Sequence, residues 1–204
     1  MGLRPGRPTC RSPGRRLTGV LFVRHASTPG MRAARFPADE DADRADLARA
    51  ASLAGRLGNA SVAWVSPAPA AAQTAAALGW EPRPVAALAE ADHGRWRGLP
   101  YSRIAETEPE ALAAWLADPD AAPHGGESLA RVASRVAGWL ESVRDQHDLV
   151  AVCDAGVIRA ALGHALGLDP SRAARFDLAP LSTTRLAPGA GGWRVVHVNW
   201  KATS

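Results

Sequence analysis

Lysine is almost missing from this 204-residue chain: of 24 cationic side chains only Lys201 is not an arginine. Cysteine is scarce as well. Cys10 and Cys153 are the two present, which is no basis for a disulfide framework and fits a reducing, cytoplasmic setting. No apolar run approaches the ~20 residues that a membrane helix needs, so a spanning protein is excluded. The first eighteen residues, MGLRPGRPTCRSPGRRLT, contain no apolar stretch of the kind a secretory signal carries. Their Pro, Gly and Arg content reads as a flexible tail, since such a segment buries too little to offset the entropy of ordering. A broad basic surface is absent too. The formal net charge is +4, but Arg4, Arg7, Arg11, Arg15 and Arg16 lie in that tail, and without these five the net charge is −1. A near-neutral body gives no field for nucleic acid, so no nucleic-acid or membrane partner is expected, and a small-molecule substrate is. Oligomeric state is left open.

What is present is ordinary globular material, 47% hydrophobic and 22% charged, enough for one well-buried domain over residues 19–204. Continuous apolar runs at 19–24, 62–65, 84–88 and 149–153 read as buried strands. Between them, helical spacing appears at 43–57, from a Ser66 cap to Leu78, at 108–116, at 127–146 and at 155–167, with a short helix near 170–175. Residues 182–186 and 193–198 read as a closing hairpin with GAGG in the turn. This alternation predicts an α/β fold, a three-layer α/β/α sandwich around a six-stranded, mostly parallel sheet.

Three of the predicted strands end in polar groups: Arg24-His25, Glu90 and Asp154. In a parallel sheet the carboxyl ends share one edge, where ligands bind. An arginine beside a histidine suits a phosphate, because the guanidinium holds two oxygens while the imidazole attacks phosphorus or relays a proton. A partly buried Glu90 suits a proton donor. His25, His93, His124 and Asp154 are metal-ligand types without ligand spacing, so neither a metal nor another cofactor is expected. His147, His164 and His197 read as structural, without partners. Cys153 reads as a buried thiol at a strand end, and Trp96 is placed at the substrate mouth.

Five motifs in order carry a resemblance to the histidine phosphatase superfamily, the phosphoglycerate mutase-like fold. They are FVRHAST at 22–28, SPAPAAAQT at 66–74, LAEADHGRWRG at 88–98, Gly126-Glu127-Ser128, and DAGVIR at 154–159. The resemblance implies a mechanism in which His25 becomes phosphorylated and Glu90 serves as acid and then base. It also implies a phosphate clamp built from Arg24, the arginine of the second motif and the histidine of the last. Thr28, Arg32 and Ala155 are further candidates for substrate contact. The HAST…RAARFPADE start looks most like small bacterial phosphatases of the alpha-ribazole phosphatase type.

Two clamp positions depart from the pattern. The second-motif arginine position is Ala70, and the last-motif histidine position is Asp154. A lost oxyanion donor typically costs ~10²–10³ in rate. An ionised Asp154 is worse, since like charges ~4 Å apart at an effective dielectric near 20 repel by about 4 kcal/mol. Compensation is open to Arg32 or Arg35 swinging in, to Arg159 pairing with Asp154, to a protonated Asp154, or to His93 or His124 in place of the lost imidazole. Three functional expectations follow. The first is an enzyme repurposed for acid/base chemistry (elimination, isomerisation or hydrolysis) through His25, Glu90 and Asp154, with weak phosphatase activity. The others are a working phosphomonoesterase and an inactive binding module.

Overall fold

The computed structural model describes residues 19–57 and 60–202, so the tail at 1–18 lies outside the described residues. In chain order it forms β1 (Val20–Arg24), α1 (Pro29–Arg32), α2 (Arg44–Ser52), β2 (Val62–Val65), α3 (Pro69–Ala77) and β3 (Glu81–Pro84). Then follow α4 (Tyr101–Thr107), α5 (Pro109–Ala117), α6 (Leu129–Ser142), β4 (Leu149–Cys153), α7 (Ala155–Leu166), α8 (Pro170–Ala173), β5 (Thr183–Gly189) and β6 (Gly192–Trp200). The six strands make one sheet in the order β3-β2-β4-β1-β5-β6. β1, β2, β3 and β4 pair in parallel, and β5 runs antiparallel to both β1 and β6.

Strand side chains alternate between the two faces, and both faces are covered. Phe22, Leu149, Ala151 and Cys153 point into a core shared with Leu140 of α6 and Ile158 and Leu162 of α7. Val23, Val150 and Val152 point the other way, onto Ala50 of α2 and Ala71 and Ala75 of α3. Five successive buried residues in β4 are the signature of a strand sealed on both sides.

The register of the central pair places the site. Arg24 lies opposite Cys153. His25 and Asp154, one residue further along each chain, therefore leave the sheet side by side.

Several expected elements are displaced. The strand predicted at 84–88 is β3, at 81–84, and 86–88 form a 3-10 turn. Pro82 and Pro84 argue against a central strand, but β3 is at the sheet edge, where a missing N–H is tolerated. The third helix begins after Ala68 rather than at Ser66, because Ala68 precedes Pro69 and is held extended at φ −62°, ψ 137°. α2 stops at Ser52 and α6 at Ser142, both short of expectation. α4 was not foreseen.

Candidate active site

His25 leaves β1 with its backbone N–H on the Cys153 carbonyl (3.1 Å). The loop beyond it is pinned from α3, where Thr74 Oγ1 accepts from Ala26 N (3.0 Å) and donates to the Ala70 carbonyl (2.6 Å). The buried imidazole has oxygen at both ends. Its Nδ1 lies 2.7 Å from the Ala26 carbonyl and its Nε2 3.2 Å from Asp154 Oδ2. A carbonyl only accepts, so Nδ1 carries a proton. Any further proton taken up by the ring lies between Nε2 and the carboxylate.

Asp154 is held there by its place in the fold. It is the N-cap of α7, and its Oδ1 accepts from Gly156 N at 3.0 Å. One oxygen thus caps the helix while the other faces His25. Burial alone would raise the Asp154 carboxyl, but the neighbouring Glu90 and His25 side chains and the helix-terminal N–H outweigh it and hold it well below the usual range. Glu90 moves the opposite way. Burial and the neighbouring Asp154 charge push it well above an ordinary carboxyl, favouring the protonated acid. Glu90 Oε1 accepts from Ala91 N (2.8 Å), while Oε2 is buried with no hydrogen-bond partner. The site therefore holds an imidazole–carboxylate pair beside a neutral carboxylic acid.

Glu90 does not end a strand. It sits in the loop after the 86–88 turn, and that segment is held from α6: Arg135 donates to the carbonyls of Ala87 (2.9 Å) and Glu90 (3.3 Å). Glu127, of the Gly126-Glu127-Ser128 motif, pairs with both Nε and Nη2 of Arg135 (2.8 and 2.9 Å). Arg135 had escaped notice in the sequence. A cation eight residues beyond the motif glutamate, at helical spacing, was the available signal.

A cavity of about 250 Å³ opens over these groups. His25, Thr28, Ala70, Glu90 and Asp154 line it, with Ser66, Arg35, His93 and Arg97 among the others. Five acidic residues face two arginines: Asp39, Glu40, Glu90, Asp92 and Asp154 against Arg35 and Arg97. Arg97 is already paired with Asp39, and Arg35 donates to the Gly98 carbonyl (3.0 Å).

The remaining candidates fall elsewhere. Arg32 turns away onto Asp43 and lines a different hollow, beside Ser27 and Arg49. Arg24 is directed at the Leu178 carbonyl and does not line the cavity, and neither does Ala155, the first residue of α7. Arg159 makes no ion pair with Asp154 and instead gives Nε to the Phe176 carbonyl (2.9 Å). His93 is on the cavity wall, but burial and nearby His124 lower it to about 4, so it is neutral at pH 7. His124 is buried behind it, accepting from Gly126 N. Trp96 is fully buried against Phe36 and Ile104, not at a mouth. Two of the three histidines read as unpartnered have partners, His164 on Glu141 (2.7 Å) and His197 on Thr183 (3.0 Å). Burial raises the Cys153 thiol well above its usual value, which keeps it protonated.

A family model for the histidine phosphatase superfamily (branch 1) matches residues 20–201. The chain belongs to that superfamily. Among its relatives, a glucosyl-3-phosphoglycerate phosphatase of Mycolicibacterium vanbaalenii is 31% identical over 171 residues, 75% of this chain and 76% of that one. Phosphoserine phosphatase 1 of Hydrogenobacter thermophilus is 38% identical over 89 residues, which spans only 42% of that relative's length. A solved mycobacterial glucosyl-3-phosphoglycerate phosphatase, in complex with VO3, superposes with a TM-score of 0.77 at 27% identity, covering 92% of this chain and all of that one. The superfamily's enzymes are mostly phosphatases acting on small molecules. Among the described residues no helix is long and apolar enough to cross a membrane.

Proposed function

We propose that this superfamily member performs acid/base chemistry on a small polar metabolite whose reacting group is not a phosphate dianion. The observation that carries this reading is His25 Nε2 at 3.2 Å from Asp154 Oδ2 while Nδ1 is held by the Ala26 carbonyl. With Nδ1 committed, Nε2 is the nitrogen left for attack on phosphorus, and it is engaged by a carboxylate. Around it the wall is acidic, Ala70 supplies no charge, and neither nearby arginine is free of a partner.

Such a site divides labour between two carboxyl groups in different states. Asp154 orients His25, whose Nε2 takes a proton from water or from a substrate C–H or O–H, and the carboxylate stabilises the imidazolium that forms. Glu90, neutral with Oε2 unpartnered, gives its proton to the oxygen that departs. Hydrolysis, elimination and isomerisation of a less anionic substrate all use this pairing. No metal or organic cofactor enters it. The single buried thiol among the described residues fits a reducing, cytoplasmic location.

A second reading is a phosphomonoesterase working through phospho-His25, and the phosphatase names of the relatives favour it. Hydrolysis of an aryl phosphate separates the two. The acid/base reading expects turnover far below the ~10 s⁻¹ typical of enzymes. It also expects a gain on the order of 10²-fold or more in the double variant Ala70→Arg, Asp154→His. Wild-type turnover near ~10 s⁻¹ that is abolished by His25→Ala overturns it.

A further inference from the structure

A second cavity, of about 330 Å³, lies behind the first, and Pro37, Glu90, Ala91, His93 and Asp154 line both. The carboxyl pair therefore stands at the junction of two chambers. The rear chamber differs in character. Trp115, Leu129, Val132 and Ala133 give it an apolar wall from α5 and α6, and Leu116, 63% exposed, also lines it. Its volume falls within the about 300–1,000 Å³ of small-molecule sites.

One cation faces this apolar space. Arg159 of α7 lines the chamber, and its Nε is spent on the Phe176 carbonyl. Among the described residues its guanidinium makes no ion pair, as Arg24 and Arg35 make none, whereas Arg97 and Arg135 are paired. Glu90 and Asp154 line the same chamber, but neither pairs with Arg159, so its Nη donors are left for an anionic group on a ligand. Tyr101 adds a donor, since burial first, and the nearby carboxyl groups after it, push its phenol up to about 12 and keep it protonated. Asp154 and Arg159 are five residues apart at the start of one helix, about 7.5 Å along its axis at 1.5 Å per residue. Both line the chamber, so an anion anchored on Arg159 shares it with the reacting groups.

We infer that the rear chamber binds the non-reacting end of the substrate, an aryl or short-chain aliphatic carboxylate whose anion rests on Arg159 and whose body lies against Trp115, Val132 and Ala133. A carboxylate suits the free Nη pair, which offers two N–H donors to two oxygens. The Asp154 charge at the junction disfavours a phosphate dianion more than a carboxylate monoanion. This assignment names the substrate class for the acid/base site and rests on that reading for the chemistry, though not for the binding.

Phenylacetate is the probe, with its neutral isostere phenylacetamide, measured by calorimetry and ligand-observed NMR without turnover. The wild-type protein should bind phenylacetate and bind phenylacetamide about tenfold or more weakly. Arg159→Met should weaken phenylacetate by about tenfold or more, with Arg159→Lys retaining part of the affinity. Ala133→Phe, which fills the chamber from α6 and leaves Arg159 in place, should abolish binding, with thermal melts confirming that each variant is folded. Failure of phenylacetate to bind the wild type, equal affinity for the amide, or binding unchanged by Arg159→Met or Ala133→Phe overturns the proposal. None of these results depends on the aryl phosphate assay, so the chamber and the acid/base reading fail separately.

Discussion

Asp154 serves two masters with its two oxygens, and substitutions separate them. Oδ1 caps α7 through Gly156 N, whereas Oδ2 faces His25. Asp154→Ala loses both, and a lost cap of this kind costs about 1 kcal/mol. Asp154→Asn keeps an oxygen for the cap and should lose less than half of that, as read by chemical denaturation. The electrostatic consequence should be the same in both. Glu90 is held high by burial first and by the Asp154 charge second, so removing that charge should lower its titration while leaving it above an ordinary carboxyl. Carboxyl-detected NMR titration of Glu90 in wild type and Asp154→Asn checks this. An unchanged Glu90 titration would mean that the two groups do not share a field.

Two pairs of close backbone contacts fix the loops that deliver Glu90. Arg95 N donates to the His124 carbonyl (3.1 Å) and Glu127 N to the Asp92 carbonyl (2.7 Å), locking 92–95 against 124–127. Glycine makes this approach possible: a Cβ on Gly126 would sit 2.0 Å from the Asp92 carbonyl oxygen, and one on Gly94 would sit 2.3 Å from that of His124. Gly126→Ala should therefore cost about 1–3 kcal/mol by forcing backbone apart, and should disturb Glu90 as well. Gly138, within α6 and with open space around it, is the contrast: Gly138→Ala should stabilise by about 0.5–1 kcal/mol. Denaturant midpoints of the two variants should move in opposite directions. Elements such as these also divide what was legible in the sequence from what was not. β1, β4 and α7 were legible because a strand buried on both faces is an unbroken apolar run and a capped helix announces its start. His25 and Asp154 meet because of that β1–β4 register. The delivery of Glu90 was not legible, because an edge strand containing Pro82 and Pro84 does not look like a strand. Arg32 and Ala155 were placed by motif position alone, and Arg24 by motif position and its strand end. Where a long side chain such as Arg32 points is set by a distant partner, Asp43, which local pattern does not reveal.

At the scale of the whole molecule, the buried histidines should write themselves into the pH dependence of stability. His93 is lowered to about 4 by burial first and His124 second, only partly offset by Asp154, Asp92 and Glu127. Rings of Phe36 and Trp115 also lie against it, at 5.2 and 5.9 Å between centroids. The unfolded chain takes up this proton near pH 6.5, whereas the folded chain takes it up only near pH 4. Over that interval the unfolded state binds more protons, so stability falls as the pH falls, levelling off below about 4. A shift of this size corresponds to about 3 kcal/mol in total. Glu90 has the opposite sign. Its raised carboxyl contributes stability that is fully present below about 4.5 and is lost as the pH rises toward its folded value. The two slopes partly cancel in the wild type, so the wild-type profile alone is uninformative and a difference is needed. His93→Gln removes the histidine contribution and leaves that of Glu90. Its unfolding free energy, measured by denaturant between pH 7 and pH 4, should rise relative to wild type as the pH falls, by about 3 kcal/mol at the acid end. A wild-type-minus-variant difference that stays flat across this range would place His93 in contact with solvent and contradict its burial between the two chambers.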